Sequence, residues 1–381
     1  MKQVDYKSAR QNHPFTWQVV DTPFLYYELT GIGFQDYYSN PSAGIELFKK
    51  GRPIARELFG PDLQHCSITT PPTLYGHINA IGADLIFSDV GAAGVTTICD
   101  SLEDAVSLLS NKNDFEKAGK VPFYLNYLNE LKAAFTTESI SFGYRYQGPI
   151  TTAYNLRHEQ LFYDIYDDPE RLKEMISLIV DSIVHFQSFL GKLSKQSHSM
   201  PRVHLADDIS SMISPQLWPE FVLPFLEKYY NALGSIEHTR SAHIENLKPD
   251  HLRFLEEIGL TLWDPSISPA LNPEIIFKNC RVPFGWLLGG IHYPDLTKDD
   301  VRDFVFKSAA DGASFIFTVL TEGMAASETV EKVITYIEAA KEVEIMLKNG
   351  VARKDIVNHV SLAGRKKFWR EWSGFRDGNK D

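Results

Sequence analysis

A histidine and a glutamate two residues apart, His243 and Glu245, have the side chains best suited to metal chemistry in this chain. They follow a short apolar segment, and side chains two apart on a strand lie on the same face of the sheet. A catalytic metal usually has three protein ligands and one open position, so a third ligand must come from another strand end. Glu322, beside Gly323 and after the apolar segment 314–320, is the candidate.

The same residues also have purely structural interpretations. His243 can hydrogen-bond to a neighbouring strand, and Glu322 can cap the helix that follows it. An isolated H-x-E pattern has a high false-positive rate. Spacing alone therefore leaves a metal site and structural roles both open.

An acidic pair, Asp207 and Asp208, ends another apolar segment. Adjacent strand residues face opposite ways, so only one of the two can face the active end of the sheet. That carboxylate can act as a general base, as a partner of the metal histidine or as a ligand. The other can cap the helix predicted to begin near Ser214. Catalysis and capping are both compatible with the pattern.

Four further residues are candidates for the lining of a substrate pocket. Two belong to an aromatic segment that can line a planar ligand or simply pack in the core. The other two follow predicted strands. The four residues are Tyr144, Tyr146, Asn155 and His292.

Short apolar segments alternate along the chain with segments of helical periodicity, which favours a mainly parallel sheet. The economical solution is an α/β fold of the closed (β/α)8 TIM-barrel type, with a doubly wound open sheet as the alternative. In a barrel the carboxyl ends of the strands form the active face, so the candidates above would meet there. The predicted strands are residues 85–90, 141–150, 202–208, 241–246, 260–265, 284–291 and 314–320, with one more near 67–70.

Three helix starts have clear signals. Asp168 before Pro169 and Ser214 before Pro215 each place a capping side chain ahead of a proline in the first turn. Thr297, followed three residues later by Asp300, has the spacing of a capping box. We expect helices to begin at all three places.

The chain is predicted to have three parts. An N-terminal helical extension over residues 1–65 packs on the barrel, the catalytic barrel covers 66–345, and a basic helical tail covers 346–381. From residue 351 onward the tail has eight Lys and Arg against four acids. A solvated helix that contacts the acidic body is the simpler interpretation of the tail. A partner-docking arm containing Trp369 and Trp372 is the alternative.

Composition limits the partners and the setting. The 381 residues have a formal net charge of -11, which disfavours nucleic acid and anionic membranes as partners. Three cysteines without C-x-x-C spacing indicate a reducing, cytoplasmic setting. No apolar run reaches the roughly 18 residues of a membrane span. Motifs of nucleotide-binding loops, hydrolase elbows and metalloprotease helices are absent from the sequence.

Four segments together resemble the uroporphyrinogen decarboxylase superfamily, which includes cobalamin-dependent methyltransferases. The resemblance extends from about residue 61 to residue 342 and implies a (β/α)8 barrel. No single motif is decisive, but the order and spacing are specific. The segments are QGPITTAYNLR (147–157), YDDPERLKEMI (166–176), LADDISSMISPQLWPEFVLPFLEKYY (205–230) and ETVEKVITYIEAAKE (328–342).

The methyltransferase branch of this superfamily carries zinc on a His-x-Cys element and a later cysteine. Here His243 and Glu245 occupy the first element and Glu322 the later position, so glutamate replaces both cysteines. The resemblance therefore implies a zinc site at these three residues. Oxygen ligands leave a metal a stronger Lewis acid toward an oxygen substrate.

This replacement makes the chain similar to methyltransferase I of corrinoid O-demethylase systems. The implied reaction moves a methyl group from a methoxylated aromatic donor to the cobalt(I) of a separate corrinoid-binding protein, because the chain lacks a D-x-H-x-x-G element of its own. The alternatives are transfer from a methylcorrinoid to a thiol or folate, tetrapyrrole decarboxylation, and a metal-free adaptor. A homo-oligomer is left open.

Overall fold

Ten short strands and eighteen α-helices alternate along the part of the chain that the computed structural model describes, which is residues 4–87, 93–111, 113–194, 202–234, 239–266 and 268–370. The strands are β1 Thr16–Asp21, β2 Ile68–Thr69, β3 Leu85–Ile86, β4 Gly94–Val95, β5 Ile140–Ser141, β6 Arg202–Ala206, β7 Thr239–His243, β8 Leu262–Asp264, β9 Gly285–Leu287 and β10 Phe315–Leu320. The helices are α1 Tyr6–Asn12, α2 Pro23–Thr30, α3 Phe34–Ser39, α4 Pro41–Phe59, α5 Gly76–Ala80, α6 Leu102–Ser110, α7 Val121–Ala134, α8 Pro149–Arg157, α9 Gln160–Asp167, α10 Pro169–Ser194, α11 Trp218–Phe221, α12 Leu223–Leu233, α13 Leu252–Glu257, α14 Pro273–Asn279, α15 Lys298–Ala310, α16 Ser327–Lys348, α17 Arg353–Ile356 and α18 Leu362–Lys367.

The contacts divide these elements into two units. The first unit contains the described residues of Gly33–Glu46 and Ser67–Ala242. The second contains those of Gln3–Ile32, Leu47–Cys66 and His243–Asp381. The division falls inside β7, so that His243 belongs to the second unit.

A parallel sheet forms the centre of the second unit. β1 pairs with β10 along its whole length, from Thr16 opposite Phe315 to Asp21 opposite Leu320. β10 also pairs in parallel with β9, and a single parallel bridge joins Trp263 of β8 to Phe284. β1 lies inside the predicted N-terminal extension, where no strand was predicted. Buried and more exposed residues do not alternate strictly along β1. The two-residue period that marks a strand is therefore weak in this segment.

In the first unit, β2 pairs in parallel with β5, and β6 and β7 are hydrogen-bonded neighbours. A strand is present at the start of the predicted segment 85–90, but it does not join a parallel sheet, because β3 forms a short antiparallel pair with β4. Residues 88–90 of that segment lie outside the described residues. The parallel pairs separated by helices confirm a mixed α/β fold, and closure of the strands into one barrel stays a prediction.

Prolines decide where several helices begin. The helix starts predicted at Pro169 and at Thr297 are confirmed, and Thr297 forms a capping box with Asp300. The prediction of a strand over 141–150 is wrong at its end, because Pro149 begins helix α8. The start predicted near Ser214 is also wrong. The helix there begins at Trp218 and is interrupted at Val222, ahead of Pro224, which has no N–H to continue it.

Helix α10 is a core helix of the first unit. Its residues Leu172, Ile176, Ile179 and Ile183 are fully buried and recur at helical spacing. Within the described residues, Pro169–Leu193 is the one segment long and apolar enough to cross a membrane by length and composition, a test that buried core helices also pass.

The described part of the basic tail packs on the second unit. Trp369 is nearly buried, lies edge-on to Trp286 and Phe304, and donates from Nε1 to Asp311 at 2.7 Å. This matches the simpler interpretation of the tail and removes Trp369 from an exposed docking arm. Trp372 lies outside the described residues.

Candidate functional site

His243 and Glu245 lie together at the carboxyl end of β7. His243 Nε2 is 3.4 Å from Glu245 Oε1, and both side chains are partly exposed while Ile244 between them is fully buried. The Ile244 N–H donates to the Asp264 carbonyl, which holds this segment beside the end of β8. The alternation of the side chains is therefore as the sequence predicted.

Asp264 orients the imidazole. Its Oδ2 lies 2.9 Å from His243 Nδ1, on the opposite edge of the ring from Glu245. A carboxylate that holds one ring nitrogen fixes the ring and directs the other nitrogen, which is the arrangement seen around metal-ligating histidines. In the sequence, Asp264 is marked only by its place near the end of the predicted strand 260–265.

Hydrogen bonds keep Glu245 ionised. Burial alone would raise the pKa of Glu245, but hydrogen bonds with His243 and Ser266, together with the charge of His243, lower that pKa below its ordinary value. An anionic carboxylate beside a fixed imidazole is suited to hold a cation or a proton donor.

The loops around this group carry backbone strain. Asn246 and Ser266 have positive φ angles of 59° and 47°, a conformation that residues other than glycine seldom adopt. The Asn246 N–H donates to Ser268 Oγ, and the Ser266 N–H donates to Asp264 Oδ1. Such strain concentrates at functional sites, because the surrounding contacts must compensate for it.

Glu322 is exposed on the turn that follows β10, before helix α16. The neighbouring Gly323 has a φ of 85°, and its N–H donates to the Glu28 carboxylate at 2.8 Å. Across the described ranges, no group of three or more His, Cys, Asp or Glu side chains is arranged to hold a metal ion. The structure thus brings His243 and Glu245 together without Glu322, and the three-ligand set stays a prediction.

The donor pair fits a divalent ion in part. His243 Nε2 and Glu245 Oε1 are donors of the right type, and Asp264 holds the ring on its other nitrogen. Glu322 is the donor that does not lie with them. The fit to a metal therefore depends on His243 and Glu245 as donors and on Asp264, which orients the His243 ring.

Asp207 has a capping role in the first unit. The carboxylate is fully buried and accepts hydrogen bonds from the N–H groups of Thr151 at 2.6 Å and Ile150 at 3.3 Å, in the first turn of α8. It caps α8 and not the helix expected near Ser214. Gly148 is required beside it, because a Cβ there would lie 2.5 Å from the Asp207 side chain.

Burial changes the acidity of Asp207. Removal from water raises the pKa of its carboxyl to about 7, although the hydrogen bonds from Thr151 and Ile150 act to lower it. Asp208 is partly buried in the short 3-10 helix Asp208–Met212. The two acids thus occupy different environments, and both lie beyond the end of β6 at Ala206.

The four predicted pocket residues are dispersed. Tyr144 is fully buried, donates to Asn79 Oδ1 and packs against Tyr124, so it is a core residue. The Tyr146 hydroxyl lies 3.2 Å from that of Tyr229. In α8, the buried Asn155 Nδ2 has no hydrogen-bond partner among the described residues.

His292, the fourth of them, belongs to the second unit. It is buried in the 3-10 turn Gly290–Asp295, where its Nδ1 accepts from the Gly289 N–H. The side chain thereby caps the turn that follows β9.

A second histidine–carboxylate pair escaped the sequence analysis. Asp21, fully buried at the carboxyl end of β1, lies 2.6 Å from His65 Nδ1 and accepts from the Cys66 N–H at 2.7 Å. Burial raises the pKa of the Cys66 thiol to about 12, with the Asp21 charge acting in the same direction. The only signal in the sequence was an aspartate ending the β-branched run TWQVVD.

The sequence profile of the family described as uroporphyrinogen decarboxylase (URO-D) matches residues 28–342. The chain belongs to the URO-D family. Among curated proteins, none matches the sequence.

A solved structure shows the same fold. A methyltransferase from Methanosarcina mazei is similar to this URO-D family chain with a TM-score of 0.61 and 16% sequence identity. The match covers 88% of this chain and 96% of the methyltransferase. At that identity the similarity shows a shared fold.

Proposed function

We propose that this URO-D family protein is an enzyme that transfers a methyl group from a methoxylated aromatic donor to the cobalt(I) of a corrinoid-binding protein. The observation that carries the proposal is the oriented pair His243 and Glu245, with Asp264 behind it, at the carboxyl ends of β7 and β8. Active sites of (β/α)8 enzymes are built at that end of their strands. The fold likeness to a methyltransferase supports the same choice.

In the proposed step the bond between methyl carbon and ether oxygen breaks and a methyl–cobalt bond forms. Cobalt(I) supplies both electrons and becomes cobalt(III), while the phenolate oxygen keeps the former bonding pair and takes a proton from water. A divalent metal, zinc in this proposal, would be held by His243, Glu245 and Glu322 and would supply Lewis acidity toward the ether oxygen.

The residues of the chain have separate tasks in this scheme. Asp264 keeps His243 in one tautomer and one orientation. Glu245 carries the negative charge that its lowered pKa maintains near neutral pH. Glu322 would approach from the turn after β10, which has a glycine at its centre. The proposed setting is cytoplasmic, with neither nucleic acid nor membrane as a partner.

Metal content tests the site directly. We expect purified protein to retain a divalent metal, measured by mass spectrometry, and His243→Ala and Glu245→Gln to lose it. Glu322→Gln tests the third ligand. Glu338→Gln, an exposed glutamate of α16, is the matched control and should retain the metal. A metal-free wild-type protein, or full retention in a Glu245→Gln/Glu322→Gln variant, would contradict the site.

Methyl transfer tests the activity. Cobalt(I) cobalamin and a panel of methoxyarenes serve as probes, and the visible spectrum reports formation of methylcobalamin. We expect methylation with at least one methoxyarene and none with the Glu245→Gln variant. Methyl transfer from methylcobalamin to a thiol would support the reverse direction instead. Decarboxylation of uroporphyrinogen without methyl transfer would contradict the proposal and would show instead that the protein is a decarboxylase.

A further inference from the structure

The second unit has a cavity of about 810 Å³ at the amino ends of its strands. Phe15, which precedes β1, and Ser314, which precedes β10, line it together with residues of α1 and α16. Asp21 and Glu322 lie at or beyond the other end of the same two strands. We call this cavity the amino-end pocket.

The charges that line the amino-end pocket are unbalanced. Its cations are Lys7, Arg10, Arg281, Lys348 and Arg353, and its one acid is Glu344. Glu344 pairs with Lys348 at 2.6 Å and accepts from Trp17 Nε1 at 2.9 Å, so its charge is already engaged.

One more of these cations forms an ion pair, because Arg281 pairs with Glu256 at 2.5 Å. Lys7, Arg10 and Arg353 form no ion pair with any acid in the described part of the chain. Glu256 still acts on Arg10 at longer range, where its charge opposes the lowering of the Arg10 pKa by burial. Three cations therefore face one cavity with no ion pair of their own among the described residues.

Arg10 is held in place with spare capacity. Its Nη1 and Nη2 donate to the carbonyls of Phe277 and Val282, both at 3.0 Å, while its buried Nε finds no hydrogen-bond partner in the part of the chain that the structure describes. Burial lowers the pKa of Arg10, and it does the same for Arg353, on which the Arg10 charge acts in the same direction. A bound anion would relieve this repulsion.

An apolar surface lies beside the cations. The Phe277 ring is about half exposed, and the Arg10 guanidinium lies 4.8 Å from its centre. The ring packs over Gly312, where a Cβ would lie 2.2 Å from it. Phe15 and Leu347 also line the cavity. A flat hydrocarbon group has a surface to contact here.

We propose that the amino-end pocket binds a small organic anion, with a phosphate or carboxylate headgroup on Lys7, Arg10 and Arg353 and an aromatic or similarly flat body against Phe277. Arginine and lysine bind both headgroups through charge-assisted hydrogen bonds. The pocket lies at the end of the strands opposite the proposed active site, so its ligand is distinct from the methyl donor. The inference does not depend on the proposed function.

Titration calorimetry with four probes tests the pocket: phenyl phosphate, benzoate, inorganic phosphate and benzyl alcohol. We expect phenyl phosphate or benzoate to bind at least about tenfold more tightly than inorganic phosphate or benzyl alcohol. The comparison of phenyl phosphate with benzoate identifies the headgroup. The better ligand should also raise the midpoint of thermal unfolding, and the rise should continue as the ligand concentration exceeds Kd.

Variants locate the binding. Lys7 is exposed, so Lys7→Gln should leave the fold intact and weaken binding several-fold, and Lys7→Gln/Arg353→Gln should weaken it further. Lys132→Gln removes the same charge from the exposed face of α7 and is the control. Equal binding of inorganic phosphate and phenyl phosphate, equal losses in Lys7→Gln and Lys132→Gln, or no binding at millimolar concentrations would each overturn the proposal.

Discussion

The two ends of the strands in the second unit carry opposite chemistry. At the carboxyl ends, His243 lies between the carboxylates of Glu245 and Asp264. At the amino ends, Lys7, Arg10 and Arg353 face a cavity and form no ion pair with an acid of the described residues. The first group is suited to a cation and the second to an anion.

The difference also concerns how each group is held. The histidine and its carboxylates hydrogen-bond to one another, so the group is organised before any ligand arrives. In the amino-end pocket, Arg10 and Arg353 are held by backbone carbonyls and aromatic rings, and their charges repel each other. The side chains at the carboxyl ends are hydrogen-bond partners of one another. The positive charge of the amino-end pocket would be balanced only by a bound anion.

Asp264→Asn should have the largest effect on the carboxyl-end group. Removing the carboxylate releases the imidazole from its fixed tautomer, and we expect metal affinity or activity to fall about 10–100-fold. Metal titration of the variant measures the change, and Asp299→Asn, an exposed acid at the start of α15, is the control. Unchanged metal affinity in Asp264→Asn would show that Asp264 has only a structural role.

Asp207 provides a contrasting carboxylate, one that is buried without a histidine. Its pKa is raised by burial from an ordinary 3.8 to about 7, so between these pH values the folded protein binds a proton that the unfolded chain does not. Stability should therefore fall as pH rises from about 4 to 7, by an amount on the order of a few kcal/mol. Asp207→Asn should remove that part of the decline.

Urea unfolding between pH 4 and pH 8 measures this dependence. Glu245 has the opposite sign, because its lowered pKa contributes stability that is present above its ordinary value of 4.5 and is lost as pH falls through the folded value. An identical pH profile for wild type and Asp207→Asn would show that the buried carboxyl titrates normally.

Arg10→Lys should have a smaller effect, on the amino-end pocket alone. Lysine keeps the charge but cannot donate to both the Phe277 and Val282 carbonyls with the same fork, so we expect a loss of about 1–2 kcal/mol. Urea unfolding provides the measurement. Metal content should stay unchanged, and a simultaneous loss of metal would show that the two ends are coupled.

The smallest expected effect concerns the thiols. Burial raises the pKa of Cys66 to about 12 and those of Cys99 and Cys280 to about 11, so few thiolates exist at neutral pH. Reaction with a disulfide reagent at pH 8 should be much slower in the folded protein than in urea. Rapid labelling of Cys66 in the folded state would contradict this expectation and would indicate an accessible thiolate.

Local signals in the sequence predicted much of the framework. The starts of α10 and α15 follow from a capping residue and from proline or aspartate within one turn. Most of the predicted strands in the second half of the chain occur within a few residues of their expected positions. Errors arose where a partner far along the chain decided the outcome, as for Pro149, whose helix α8 is capped by Asp207.

By itself, the sequence determined the starts of α10 and α15, the family, and the alternation that places His243 and Glu245 on one side of a strand end. Only the tertiary structure decided that Asp264 orients the histidine, that Glu322 lies apart from it, that His65 pairs with Asp21, and that α1 and α16 bring cations together. The first set depends on residues within a few positions of one another, where backbone geometry sets the contacts. The second depends on side chains brought together by packing across long sequence separations, which local patterns do not encode.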